Sequence, residues 1–235
     1  MTRFVALDLA GMAPPDVVER LDYEEILVAL KADLVARLAA AGIAYNVQDL
    51  ESDPGPKVLE VADYRELITR ARVNDAARAV MLAHAHGSDL DHLGVYYGVG
   101  RLVVTPADGT TPAVYEKDEP LRRRIQLAPE AFTTAGSEGA YQFHAMTIDP
   151  SIKDVAVLAP QPGSGNVHVL PLTSVGNGVP DADLLERVRL RLLQKDIKPL
   201  TDIVTVRAPV VSNYAISAQI EVASGPDPSV VRAAA

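Results

Sequence analysis

The sequence predicts an α+β protein: an N-terminal helical region dominated by one long helix, then a C-terminal β-β-α-β-β antiparallel sheet with a helix packed on it. Three observations carry that expectation. Apolar residues recur at helical spacing from about residue 22 to residue 146. Beyond residue 154 the period changes from 3.6 to 2. No apolar run approaches the ~18 residues a membrane span needs. At roughly 100–200 residues per domain, 235 residues allow one large or two small domains. We divide them as 1–117, helical with a connector, and 118–235, α+β.

The elements follow in order. Ala13-Pro14-Pro15 is an extended lead-in, because proline disfavours helix in the residue before it. Asp22 caps a first helix and Gly42 ends it. Its apolar face is Ile26, Leu27, Leu30, Leu34 and Leu38. Ser52-Asp53-Pro54-Gly55-Pro56 is a second start signal, with proline in the first turn. Nothing then breaks a helix until Gly87, so a long helix is expected over 56–86. Ser88 opens a short helix, 89–97. Leu102-Val103-Val104 and Ala113-Val114-Tyr115 are short strands around a turn-rich loop. Asp118 caps the next helix, and Pro129 kinks or ends it. Ser137 caps another short helix that ends near Asp149-Pro150.

The strand half begins with Val155 and Val157, which alternate with Asp154 and Ala156. Val167, Val169 and Pro171 alternate with Asn166, His168 and Leu170, completing a hairpin. Asp181 or Asp183 caps a helix containing Leu184, Leu185, Val188, Leu192 and Leu193. Strands at 203–206 and 216–222 follow. Residues 227–235 read as the first turns of a further helix.

Composition removes several function classes. Lys plus Arg number 22 and Asp plus Glu 31, for a net charge of −9. Such a chain lacks the cationic surface that nucleic-acid binding requires, and an anionic membrane repels it. Cysteine is absent, which excludes disulfides, thiolate zinc sites, iron–sulfur clusters and cysteine nucleophiles. The start, MTRFVALDLAGM, is broken by Asp8, so no signal peptide is expected there.

Catalytic patterns are sought with little return. His84 and His86 are spaced i, i+2 and point apart on a helix, whereas a metal pair prefers i, i+4. With His92 they read as polar residues at a helix end. His144 and His168 read as surface positions. Glu116, Asp118 and Glu119 precede a helix, where negative charge is favourable. Gly163-Ser164-Gly165 lies in a hairpin and lacks the lysine of a phosphate loop, so it reads as a turn needing positive φ. The run Arg122-Arg123-Arg124 reads first as a solvated helix face and second as a contact to an acidic partner. No catalytic residue, cofactor or metal is expected. What remains is a long helix with more contact faces than a small domain can bury, which points to assembly.

Longer stretches support that reading. LDYEEILVALKADL at 21–34 and DPGPKVLEVADYRELITRARVNDAARAVMLAHAHGSDLDHLGVYYGV at 53–99 resemble the baseplate J-like family of contractile phage tails. So do RIQLAPEAFTTAGSEGAYQFHAMTIDPSIKDVAV at 124–157, GNVHVLPL at 165–172 and IKPLTDIVTV at 197–206. The resemblance covers about residues 13 to 230. It implies a non-enzymatic wedge subunit in the virion tail baseplate, made in the host cytoplasm. The implied partners are a second copy, smaller wedge proteins, the hub and spike, and sheath-proximal proteins, with no nucleic acid and no membrane insertion. It also implies rearrangement on sheath contraction; family members continue past the position of Ala235 with another helix and a second α/β portion, so the 118–235 unit is expected to be truncated relative to the family. Relatives keep a helix where Pro129 sits and have other residues at His84 and His86. The expected interface is the helix face with Tyr64, Leu67, Ala71, Arg78 and Leu82, and second the Arg122–Arg124 run. A small-ligand binding module, recognised by a concave apolar pocket, and a hydrolase with dispersed acids are the alternatives.

Overall fold

The computed structural model describes residues 8–9, 11–45, 54–133, 135–212, 214–215 and 217–218. The first helix, α1 (Tyr23–Ala40), begins where expected. Asp22 accepts from the backbone N–H groups of Glu24 and Glu25. It closes with paired bonds from Gly42 N–H to Ala39 and from Ile43 N–H to Leu38, the Schellman arrangement. Ile26 and Leu27 are buried, while Leu30, Leu34 and Leu38 are only half-covered.

The second helix, α2 (Pro54–Ala79), is shorter than expected. It stops seven residues before His86 (86 minus 79). Turns follow, with Met81 N–H bonded to Arg78 and both His84 and Ala85 N–H to Met81. The cause lies far along the chain. The carbonyls of Leu82 and Ala85 accept from the Arg122 guanidinium, at 2.7 Å each. Ala85 is drawn into a core and the helix cannot continue. α3 (Gly87–Val95) then starts at Gly87 itself.

α1 packs against α2. Asn74 meets the backbone of Glu19, and Tyr23 lies beside the carboxylates of Asp63 and Glu60. The two helices therefore run antiparallel as a hairpin. The buried side chains of α2 are Pro56, Asp63 and Asn74, so the seam is unusually polar.

Two apolar cores lie elsewhere. The smaller contains Ala85, Leu90, Val99, Leu121, Ile125 and Ala128. It joins α3 to α4 (Asp118–Leu127), so the division expected at residues 117–118 falls inside it. The connector between them forms a small antiparallel ribbon, β1 (Val103–Thr105) and β2 (Val114–Tyr115). A 3-10 turn over Ala128–Phe132 follows α4, with Pro129 in its first turn, as proline's missing N–H dictates.

The larger core fills the C-terminal half. α5 (Glu138–Met146) is capped by Ser137, whose hydroxyl accepts from Ala140 N–H. The sheet order is β3 (Ile152–Leu158), β4 (Asn166–Thr173), β5 (Ile203–Val206). α5 and α6 (Ala182–Leu192) lie side by side on one sheet face, burying Tyr141, Val155, Val169, Val188, Leu192 and Val204. The inward residues of β3 and β4 are those the alternation predicts.

One expectation is corrected here: the sheet is mixed, not antiparallel. β5 pairs parallel with β4, Val167 opposite Val204 and Val169 opposite Val206. α6 carries the chain back across the sheet, so β5 enters in the direction of β4. Gly165 seats this pairing. Its φ is +74°, its carbonyl accepts from Ile203 N–H, and a Cβ there would lie 2.6 Å from the Thr201 carbonyl oxygen. The strand expected at 216–222 and the helix at 227–235 lie outside the described residues, Ser217 and Ala218 excepted.

Candidate assembly interface

The helical hairpin carries the largest ordered row of uncovered apolar side chains on one element. Val58, Val61, Tyr64 and Ile68 of α2 are all exposed, Val61 at 64% and Tyr64 at 57%. Residues 61, 64 and 68 are spaced i, i+3, i+7, so they form one stripe. Exposed arginines, Arg65 and Arg72, flank it. An apolar stripe with polar edges, left open to water, is the pattern of an interaction surface.

The face expected from the sequence is split three ways. Tyr64 belongs to the open stripe. Leu67, Ala71 and Arg78 are half-buried, and Ala71 and Arg78 line a shallow cavity of about 290 Å³ closed by Glu19, Arg20 and Leu21. Leu82 is not on the helix at all; it packs on the smaller core. Val58, Val61 and Ile68 were not singled out by sequence reasoning. Their periodicity was visible, but which side of α2 would meet α1 was not.

The Arg122–Arg124 run is a second correction, because most of it faces inward. Arg122 binds the Leu82 and Ala85 carbonyls and reaches Glu119 at 2.8 Å. Arg124 is 2% exposed and pairs with Glu116 and the Gly100 carbonyl. Only Arg123 is partly exposed, and it is engaged by Asp154 and the Lys153 carbonyl. Periodicity had no means of finding this, since every partner but Glu119 lies 8 to 40 residues away.

The same network uses the carboxylates before α4. Glu116 accepts from Arg124 and from Leu102 N–H. Asp118 does not cap its own helix. It accepts from Gly87 N–H at the start of α3 and from Arg101. Those hydrogen bonds, first that of Arg101, hold the Asp118 carboxyl below its ordinary range. Arg101 also donates to Asp91 at 2.6 Å and to the Glu116 carbonyl at 2.8 Å. The ribbon base, α3 and α4 are thereby tied into one body.

A polar cavity of about 370 Å³ lies at the start of α6, lined by Asp149, Asp181, Arg187 and the 173–180 loop. Its Arg187 and Asp149 satisfy each other at 2.6 Å. Among the described residues, no three His, Asp or Glu side chains converge as a metal site, and no helix is long and apolar enough to cross a membrane.

Comparison with known proteins agrees with this architecture. Residues 51–108 match the Baseplate J-like N-terminal domain, and residues 133–208 match the Baseplate J-like central domain. The first match spans α2, α3 and β1; the second spans α5, α6 and the three-stranded sheet. Baseplate protein J of Escherichia phage P2 is 44% identical, over 97% of this chain and 77% of that protein.

Proposed function

The chain belongs to the baseplate J-like family of phage tail baseplate proteins, and from that premise we propose that it is a wedge subunit of a contractile tail, or of a related contractile injection particle. The observation that carries the reading is the open stripe Val58, Val61, Tyr64 and Ile68 on a hairpin that shares neither apolar core. A surface of that kind is covered in an assembly. The role is structural and not catalytic. The partners are a second copy, smaller wedge proteins, the hub and spike, and sheath-proximal proteins, and the wedge rearranges when the sheath contracts. Tyr64 and Leu67 take part in the contact; Arg123, with its partial exposure, is the one member of the basic run placed to assist.

Cryo-EM of particles from producing cells, with mass spectrometry to locate the chain, tests this. The expected result is density in a six-fold ring at the lower end of the sheath, two copies per wedge. A chain absent from every particle and monomeric in lysate would overturn it.

A further inference from the structure

The seam between α1 and α2 closes on little apolar surface. From α1 only Ile26 and Leu27 are buried, and α2 contributes Pro56, Asp63 and Asn74. None of these belongs to either apolar core. The two buried polar side chains differ sharply. Asn74 accepts from Glu19 N–H at 3.1 Å and donates to the Glu19 carbonyl at 2.8 Å. Arg70 adds an ion pair to the Glu19 carboxylate at 3.3 Å. These bonds pin the chain just before α1 begins.

Asp63 has no such bonds. It has no exposed surface, and neither of its carboxylate oxygens has a hydrogen-bond partner. Buried polar groups are ordinarily hydrogen-bonded, and buried charges ordinarily paired. The groups around it do not relieve the charge. Glu66 of α2 and Glu24 of α1 face it, and after burial they push its carboxyl further above the ordinary value. Burial also raises the phenol of Tyr23 on α1, followed by the charges of Asp63 and Glu60. The nearby cations of α2 are engaged with other carboxylates, Lys57 with Glu60 at 2.8 Å and Arg70 with Glu66 at 2.6 Å.

We propose that α1 is a releasable strap: the unpaired Asp63 keeps its seam weak, so α1 swings off α2 about Glu19 while both apolar cores stay closed. The cost of Asp63 exists only in the closed state. When α1 lifts, water reaches the carboxylate and solvates it; closing must strip that water away with no partner in return. Against this the seam sets two buried aliphatic side chains of α1, with Leu30, Leu34 and Leu38 only half-covered. The smaller core, by contrast, closes on six buried apolar residues, and the larger on more. The bonds at Glu19 lie at one end of the seam and act as the hinge. Release bares Ile26, Leu27 and the seam face of α2. The strap is a property of this chain alone and does not depend on the assembly role.

Amide hydrogen exchange of the purified full chain at neutral pH tests this, comparing residues 23–40 with the sheet strands 152–158 and 166–173. In the wild type, α1 should exchange about a hundredfold or more faster than the sheet, once corrected for intrinsic rates. Asp63→Asn keeps the size of the side chain and removes the charge, and it should slow exchange in α1 about tenfold. Asn74→Ala removes the satisfied anchor, and it should speed exchange in α1 about tenfold. The sheet should keep its wild-type rate in both. Opposite signs from two buried polar residues of one seam are the signature, since a merely structural aspartate would loosen the seam just as Asn74→Ala does. Exchange in Asp63→Asn as fast as in the wild type, or faster, would overturn the proposal. So would wild-type α1 exchanging no faster than the sheet, which would mean that the seam opens only when the whole chain unfolds. Asp63→Asn against the wild type decides the matter by itself if Asn74→Ala does not fold.

Discussion

Three consecutive arginines meet three different fates, and the differences set the size of each contribution. Arg124 is buried against Glu116, so truncation leaves an uncompensated carboxylate in the core. Arg124→Ala should cost about 3–5 kcal/mol, measured by denaturant unfolding. Arg123 is half-exposed against an exposed Asp154, and Arg123→Ala should cost under about 1 kcal/mol. Similar losses from both would refute the assignment of Arg124 as a core strut. Gly94 is a second residue-scale case. It is buried in α3, and a Cβ there would run into the Val99 carbonyl oxygen, with Ile125 Cδ1 at 3.3 Å. Gly94→Ala should therefore destabilise by about 1–3 kcal/mol, although alanine ordinarily favours helix. A variant as stable as the parent would mean that α3 can shift. The motif RRR is legible in sequence, but it says nothing of direction. Charge composition alone favours a solvated face, and only distant carbonyls and carboxylates turn two of the three inward.

At the scale of the element, α2 shows how far periodicity reaches. Its start and its apolar rows were legible from proline placement and from i, i+3, i+4 spacing. Its end was not, because the break comes from Arg122 on another helix and not from any local breaker. Nor was the choice of face, because Asp63 and Asn74 are the residues turned to α1 while valines face water. An aspartate at Leu67 would disturb folding as well as assembly, because that side chain is half-buried against its surroundings. With Leu67 half-buried, Ile68→Asp separates the two effects better. Ile68 is 43% exposed, so the change should alter folding stability by no more than about 0.5 kcal/mol. Incorporation into particles should be lost. An Ile68→Asp chain that unfolds, or one that incorporates normally, would move the interface off this stripe. The β5 strand makes the same distinction. Its position and inward residues follow from alternation, while its parallel pairing follows from α6 crossing the sheet.

The whole molecule joins two regions whose responses to acid have opposite sign. Asp63 sits above the ordinary carboxylate value, so its folded form favours the neutral acid. The stability it permits is present in full below the unfolded value and is lost as pH rises through the folded one. Asp118 sits below the ordinary value, held by Arg101 and Gly87 N–H. Its contribution is present above the unfolded value, about 4, and is lost as pH falls through the folded one. Lowering pH from neutral should first firm the α1–α2 hairpin and then, below the ordinary carboxylate range, loosen the α3–α4 joint. Hydrogen exchange by region, corrected for the intrinsic rate, reads both, and acid weakening of both regions together would contradict the scheme. The sequence by itself determined the α+β class, the caps, most strands, the absence of cysteine chemistry and the family, because each of these is written in local spacing or in composition. Only the tertiary structure decided where α2 stops, which arginines are buried, how β5 pairs and which face of the hairpin stays open. Those features are set by contacts between residues far apart in the chain, whose energies depend on burial and on partners that no local pattern encodes.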